Sequence, residues 1–565
     1  MNENLSSSHP ADGCSIAIVG GGPSSAYLLH TFLRAAKPCR ITVFEAGAVA
    51  GPGIPFSADH NGAHLLANIA DFELPPLCET LNQWAMRQSD RRQKELGIAG
   101  LAEDDRAFFP RRALGAFYAD QMRLLLERMQ GSVTLHTLAA VQDVAAHADG
   151  VSVTWRQEGE AHEALFDRVI IASGYGRSDE AHALAGEAAK EVTGQRIAVL
   201  GSSLSAIDAA VEVAMRRGRF EGSGDGLRYI PDRPWSITFL SRNGLLPEAD
   251  FWIPEDAGEL PLFNADAISP MAQGRDGDLD RIFDFFAQQL AQVDPGYARA
   301  IDLPSATPDN FAQRYFARRL SADPFAYARA NLIEARQTHA QRRASAWRLV
   351  LLLAHSVFGS ILPALSPRDL ERFNAGLKRC FVDNYAAVPH LSVERMLALH
   401  DAGVLTVHKI GPIADPDQRE FMIAGRAMRF DDLIDARGQP ALGLDRLPFP
   451  TLRLQLCSQA NARRRDWEDG LFPAAGYVLD PDDMALSRVH ALCLPFLLQR
   501  HPFIQGLTES AAMAQACVGE IGRRMNAAAP SLRQKTLDAL AWLEQTTMVF
   551  QGDRSVPLIR PQQGM

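Results

Sequence analysis

The stretch Ser15-Ile-Ala-Ile-Val-Gly-Gly-Gly-Pro-Ser-Ser-Ala26, followed by Arg40-Ile-Thr-Val-Phe-Glu45, constrains this chain more than any other feature. An apolar run, a glycine turn, a helical run from about Ser24 to Ala35 and a β-rich run ending in an acid read as strand, turn, helix, strand. Bare backbone at Gly20 and Gly22 lets a pyrophosphate reach the N-terminus of the helix, which Pro23, Ser24 and Ser25 open. Glu45 stands where a ribose diol is received. The third small position holds Ser25 in place of glycine or alanine. The layout is that of a dinucleotide-binding βαβ unit.

At 565 residues the chain exceeds one ordinary core, so two or three domains are expected. A net charge of −10, from 57 basic and 67 acidic residues, argues against a general nucleic-acid or anionic-membrane binder. An anionic ligand must therefore be met by particular arginines. The seven cysteines are scattered without metal-binding or redox-pair spacing and read as reduced thiols of a cytoplasmic protein, with no metal site. Met1 to Gly13 is polar, lacks the regions of a signal peptide and reads as a frayed tail. Ala346 to Leu365 approaches membrane length, but Arg348, His355 and Pro363 favour a buried helix.

Ser132 to Leu138 and Val151 to Trp155 read as strands around a turn at Asp149-Gly150, and Phe166 to Ser173 as a central parallel strand running into Gly174-Tyr-Gly176. A second strand–turn–helix follows at Gln195 to Asp208, and its next strand, Ser236 to Ser241, ends at Arg242. The loop Gly218 to Pro234 between them reads as surface. Helical patterns then run over Ile282–Leu290, Asn310–Leu320, Pro324–Leu351 and Pro367–Phe381, before strand character returns at Val404–Val407, Phe421–Ile423 and Leu433–Ala436. The expected fold is α/β, two Rossmann-like dinucleotide-binding domains with a helical insertion. The expected boundaries are a first dinucleotide-binding domain over 14–190 and 446–565, a second over 191–266 and 400–445, and the insertion over 267–399. Near the C-terminus, Thr508 reads as the cap of a last helix with Glu509 in its first turn.

The second turn, Gly201-Ser-Ser203-Leu204-Ser205-Ala206, has Ser203 where a middle glycine would give closest approach, and a serine hydroxyl can itself donate to phosphate. Arg242 occupies the position at which an NAD binder carries an acid, and a guanidinium there suits a 2′-phosphate. An acid in one unit and an arginine in the other divide the labour: Glu45 suits the free ribose diol of FAD, Arg242 the extra phosphate of NADPH. Hydride then passes from nicotinamide to flavin.

With these residues in place the chain resembles the two-dinucleotide-binding flavoproteins, and among them class B flavin N-monooxygenases of the bacterial aspartate-to-nitrosuccinate type. The resemblance covers most of the chain. It is carried by Gly20 to Ser25, Gly51-Pro-Gly-Ile-Pro-Phe56, His64-Leu-Leu-Ala-Asn68, Phe109-Pro-Arg-Arg-Ala-Leu-Gly115, Gly201 to Asp208, Ser241 to Pro247 and Pro502-Phe-Ile-Gln505-Gly506. Asp167 to Tyr175 is similar to the family's Asp-x3-hydrophobic-Ala-Thr-Gly-Tyr stretch, with Ser173 in place of threonine before Gly174. Asp432 to Gly438 resembles a second such crossover, with Arg437 replacing the small hydroxyl residue. The resemblance implies that Asn68 and Arg111 lie near the flavin or its phosphates, that the Val141 backbone contacts the adenine, and that the helix at Thr508, preceded by Gln505, faces the isoalloxazine. It further implies an NADPH- and FAD-dependent monooxygenase that uses dioxygen, through a hydroperoxyflavin, to N-oxygenate a small amino acid, with aspartate the expected substrate. The partners expected are that substrate and dioxygen, with no nucleic acid or membrane. For the carboxylates, Arg111, Arg112, Arg342, Arg343, Arg348 and Arg437 are the candidates. Two alternatives share the nucleotide motifs: an NAD(P)H-linked flavin reductase serving a small acceptor, and a non-catalytic flavin-binding sensor.

Overall fold

The computed structural model describes residues 14–36, 39–174, 185–411, 418–463 and 470–526. Tyr175, Gly176 and the polar stretch Met1 to Gly13 lie outside the described residues. Two parallel sheets organise the chain. The first has five strands in the order Val489–Ala491, Arg168–Ile171, Cys14–Val19, Cys39–Phe44, Val133–His136. All four pairings are parallel, so a strand from near the C-terminus closes the edge of the N-terminal sheet. The second has four parallel strands in the order Leu405–Lys409, Ser236–Ser241, Arg196–Leu200, Asp432–Asp435. Two of them precede the helical segment and two follow it.

The same device registers both sheets. Asp167 accepts from the Ser15 backbone N–H at 2.7 Å and from the Ser15 hydroxyl at 2.8 Å, tying the first strand to the crossover strand. In the second unit Asp431 accepts from the backbone N–H groups of Gln195 and Arg196 at 2.9 and 2.8 Å, and Asp432 from Gly194 at 2.6 Å. An acid ahead of each crossover strand thus satisfies backbone donors that the neighbouring strand leaves over.

The antiparallel sheet beside the first domain differs from the sequence expectation. Val133–His136 belongs to the parallel sheet, and the hairpin partner of Val151–Gln157 is Ala139–Ala146, with Glu160–Phe166 outside it. The alanine-rich Ala139–Ala146 carries little β propensity and is a strand because of its neighbour, not its composition. Part of the loop expected over Gly218–Pro234 is a short hairpin, Gly218–Glu221 with Arg228–Pro231.

The helical stretch divides between two cores. Helices Asp278–Val293, Phe311–Leu320, Ala346–Ile361, Pro367–Ala375 and Leu377–Tyr385 enclose a phenylalanine-rich core of their own. Helices Pro324–Gln341 and His390–Asp401 pack instead into the core of the second sheet. The run read as one helix over Pro324–Leu351 breaks where Arg342 adopts φ +48°. Ala346–Ala364 is long and apolar enough to cross a membrane by length and composition. Here Leu351 and Phe358 are fully buried in the helical core, and Arg348 meets Glu248 in a buried ion pair.

Candidate dinucleotide sites and the seam between them

Both glycine turns adopt one backbone solution. Gly20 has φ +104° and donates to the Phe44 carbonyl at 2.8 Å; Gly201 has φ +117° and donates to the Leu240 carbonyl at 2.8 Å. A Cβ on Gly20 would stand 2.6 Å from the Ala172 carbonyl oxygen and 2.9 Å from the Ser173 Cα, and one on Gly201 would stand 2.7 Å from the Ala436 oxygen. Each turn is pressed against its crossover strand, so only glycine fits. Ser173 and Gly174 follow that strand in the first unit.

Helix Pro23–Ala35 starts at Gly22 with no side-chain cap and Pro23 in its first turn, and helix Leu204–Arg217 starts at Ser203, again with no side-chain cap. The first-turn N–H groups of both helices are therefore free of side-chain acceptors, as phosphate binding requires. Ser203 is exposed and Ser205 half-buried. Ser25 is fully buried and its hydroxyl donates to the Gly20 carbonyl at 2.5 Å, so it braces the turn. The Ser24 hydroxyl lies 3.4 Å from that of Ser510.

Glu45 is held in place by its own neighbourhood: Oε2 accepts from Gly21 N–H at 2.9 Å and Oε1 from Gly47 N–H at 2.6 Å. Both oxygens keep lone pairs for a diol. Arg242, the corresponding residue of the second unit, is exposed and has no ion pair among the described residues. Val141 sits half-buried in Ala139–Ala146, opposite Trp155 and next to a bulge. The donors, acceptors and cleared backbone thus fit FAD in the first unit and NADPH in the second.

Asn68, on strand Leu66–Ala70, has a buried Oδ1 with no hydrogen-bond partner among the described residues, which suits a residue awaiting a ligand amide. Arg111 is held within the protein. Its backbone N–H donates to Leu65 at 2.8 Å, its Nε to the Leu66 carbonyl at 3.1 Å, and its Nη2 lies 2.6 Å from Asp208 Oδ2. It bridges the two dinucleotide units. Burial pushes the Asp208 carboxyl up to about 6, with the Arg111 charge pulling the other way.

Thr508 does not cap the last helix. That helix begins at 507, and the Thr508 hydroxyl donates to the Glu73 carbonyl at 3.2 Å, which ties its first turn to the segment after Asn68. The preceding Gln505 is exposed. Phe503 inserts into the helical core, 5.5 Å from the His355 ring and 6.0 Å from Phe373, while Ile504 belongs to the core of the first sheet. Adjacent residues in different cores fix where this helix starts.

Of the candidate arginines, Arg348 pairs with the buried Glu248, Arg437 with Asp435 at 2.5 Å, and Arg342 and Arg343 are exposed. Arg348 serves the loop after Arg242. Along that loop Arg319 donates to the Leu246 carbonyl at 2.6 Å, Ala249 N–H to Asn331 at 2.7 Å and Trp252 N–H to Thr338 at 3.0 Å, and His339 lies 3.1 Å from Asp250. Sequence reasoning missed this stitching, although Asn331 and Thr338 share one helix face by their spacing.

Residues 17–176 match the FAD-NAD(P)-binding family model and residues 264–385 the YdhS-like middle domain. The chain is 34% identical over 532 residues, 90% of its length and 98% of the relative's, to the uncharacterized protein YdhS of Escherichia coli (strain K12). The chain belongs to the YdhS family. Its YdhS-like middle domain spans the phenylalanine-rich helical core together with helix Pro324–Gln341. Among solved structures the chain is similar to the ornithine N-hydroxylase of Kutzneria sp. 744, at 14% identity over 91% of this chain and 100% of that one, TM-score 0.45. It is also similar to the ornithine hydroxylase of Pseudomonas aeruginosa, at 12% identity over 91% and 99%, TM-score 0.44.

Proposed function

We propose that this FAD- and NADPH-using member of the YdhS family is a monooxygenase that N-oxygenates the amino group of a small amino acid, with aspartate as substrate and a nitroso or nitro product such as nitrosuccinate. One observation carries the cofactor pairing on which the reading stands. Two turns with glycine at like positive φ, +104° and +117°, are followed by opposite readers, a Glu45 carboxylate locked by two N–H groups and an exposed Arg242. The choice of reaction is supported by the N-monooxygenase-like stretches around Gly51–Phe56, Phe109–Gly115 and Asp167–Ser173. The cysteines are all free of disulfides, which supports a cytoplasmic setting.

When bound and reduced by NADPH, FAD supplies with dioxygen an electrophilic oxygen. The chain's own residues do the rest. Glu45 and the helix at Gly22 hold the diol and pyrophosphate of one nucleotide, and Arg242 with the helix at Ser203 those of the other. The Arg111–Asp208 bridge ties the two units together, which would hold the bound nucleotides in a fixed relation. The amine must be neutral to react, so the site has to accept a proton from the incoming ammonium.

The test is NADPH oxidation by the purified yellow protein with and without L-aspartate, with mass spectrometry under labelled dioxygen. Labelled oxygen on the aspartate nitrogen is the expected result. NADPH consumption giving only peroxide and unchanged aspartate removes the substrate, and turnover without dioxygen on an external acceptor makes the protein a reductase.

A further inference from the structure

Two adjacent arginines, Arg111 and Arg112, open helix Arg111–Arg128, and two acids one turn apart, Asp208 and Glu212, lie on helix Leu204–Arg217. The first of each pair meet at 2.6 Å. The second do not. Arg112 Nε and Glu212 Oε2 are both buried, and neither has a hydrogen-bond partner among the described residues. His64 lies in the field of both charges and of Arg395, whose Nη1 donates to the His64 carbonyl at 2.9 Å. Glu212 reaches this seam because residue 62 is glycine: a Cβ there would collide with Glu212 Oε2. Asn68 Oδ1 is a third unpartnered buried atom, on the strand whose Leu66 carbonyl receives Arg111.

Both side chains are half-buried, but a guanidinium N–H and a carboxylate oxygen that are buried without partners are each costly, and costlier still where the neighbouring pair shows that the two elements are able to close an ion pair. The arrangement is stable in use if a ligand of both signs bridges the gap. We propose that Arg112 and Glu212 are the two ends of a binding site for a small zwitterionic amino acid, with Arg112 taking a carboxylate and Glu212 the ammonium. This rests on the function proposed above and names the residues that select its substrate class. The two-ended charge disfavours a dicarboxylate lacking the amine and an amine lacking the carboxylate, since each leaves one end of the site unmatched.

Calorimetric titration of the FAD-loaded protein in the presence of NADP+, with L-aspartate and with succinate, tests it. Glu212→Gln should weaken L-aspartate by about 10-fold or more and leave succinate unchanged, whereas Arg112→Gln should weaken both by about 10-fold or more. Ligand-free Glu212→Gln should melt no lower than the parent, because the change removes an uncompensated charge. If Arg112→Gln does not fold, Arg112→Lys keeps the charge, loses the Nε donor and probes the same contact. Unchanged L-aspartate affinity in both variants, with a lowered melting temperature, would show that the two residues pair with each other and overturns the proposal. Loss of flavin colour or of NADP+ affinity in Arg112→Gln with L-aspartate affinity kept places Arg112 on a nucleotide and overturns it too. So does a parent protein that binds neither L-aspartate nor L-ornithine. Binding with the expected variant pattern, but no labelled oxygen on nitrogen, upholds the site and removes the proposed reaction.

Discussion

Glu248→Gln should destabilise the protein by about 3 to 5 kcal/mol, the range for removing one partner of a buried ion pair. Glu248, Arg348 and Arg319 are 2%, 3% and 4% exposed. Arg348 pairs with Glu248, Arg319 pairs with Asp383 and lies 3.9 Å from Glu248, and the Tyr327 hydroxyl donates to Glu248 at 2.6 Å. Two carboxylates thus balance two guanidinium groups. Without the Glu248 charge, Arg348 keeps ring contacts, to Trp347 at 4.4 Å and Phe251 at 5.5 Å, and the field of Glu334, while Arg319 keeps Asp383. The double variant Glu248→Gln/Arg348→Met removes both charges and should recover most of the loss. Urea unfolding followed by tryptophan fluorescence measures this. Comparison with Trp347→Phe isolates the ring under Arg348, which also stacks on Tyr297 at 4.3 Å. Burial pushes the Glu248 carboxyl up, but the charges of Arg348 and Arg319 outweigh it and hold the group below its ordinary 4.5. Its stabilisation is therefore complete above that value and lost as pH falls below it, a component that Glu248→Gln lacks. A loss under about 1 kcal/mol, or a double variant no more stable than the single one, refutes the view that a compensated buried charge anchors the loop after Arg242.

Gly20→Ala should yield protein without flavin absorbance, because its Cβ would stand 2.6 Å from the Ala172 carbonyl at φ +104°. Gly201→Ala should keep the flavin and weaken NADPH, measured by flavin content and by titration with NADP+. Arg242→Ala should raise the KM for NADPH by about 10-fold or more and leave NADH unaffected, since only the 2′-phosphate contact is removed; equal effects on both nucleotides would count against its role. Burial pushes the His490 imidazole down from 6.5 to about 4. Folding therefore favours its neutral form, and about 3 kcal/mol of stability should be lost as pH falls from 6.5 to about 4. Thermal unfolding across this range should show a shallower decline in His490→Gln.

The elements that carry their own pattern were legible. Ser236–Ser241 is a strand of six residues, four of them buried, and it is a strand at the bounds its apolar run predicts. The glycine of each turn and the residue ending each second strand could likewise be named from spacing, since pyrophosphate and ribose lie at fixed distances along a βαβ unit. Ala139–Ala146 was missed because its pairing partner, not its composition, makes it a strand. The pairing of Arg111 with Asp208, and of Arg348 with Glu248, was not legible, because each joins residues distant in sequence.

The chain's covalent order therefore determined two glycine turns, the opposite charges of Glu45 and Arg242 after each second strand and the helical stretch between the strands of the second sheet, because these depend on short-range periodicity and on where glycine is tolerated. Tertiary structure alone decided which charges are paired. Arg111 and Arg112 are chemically alike and adjacent, yet one is paired with Asp208 while the other keeps a buried Nε without a hydrogen-bond partner among the described residues. That difference arises because Asp208 of helix Leu204–Arg217 reaches Arg111 at the start of helix Arg111–Arg128. Contact between elements separated by long stretches of chain leaves no trace in local pattern.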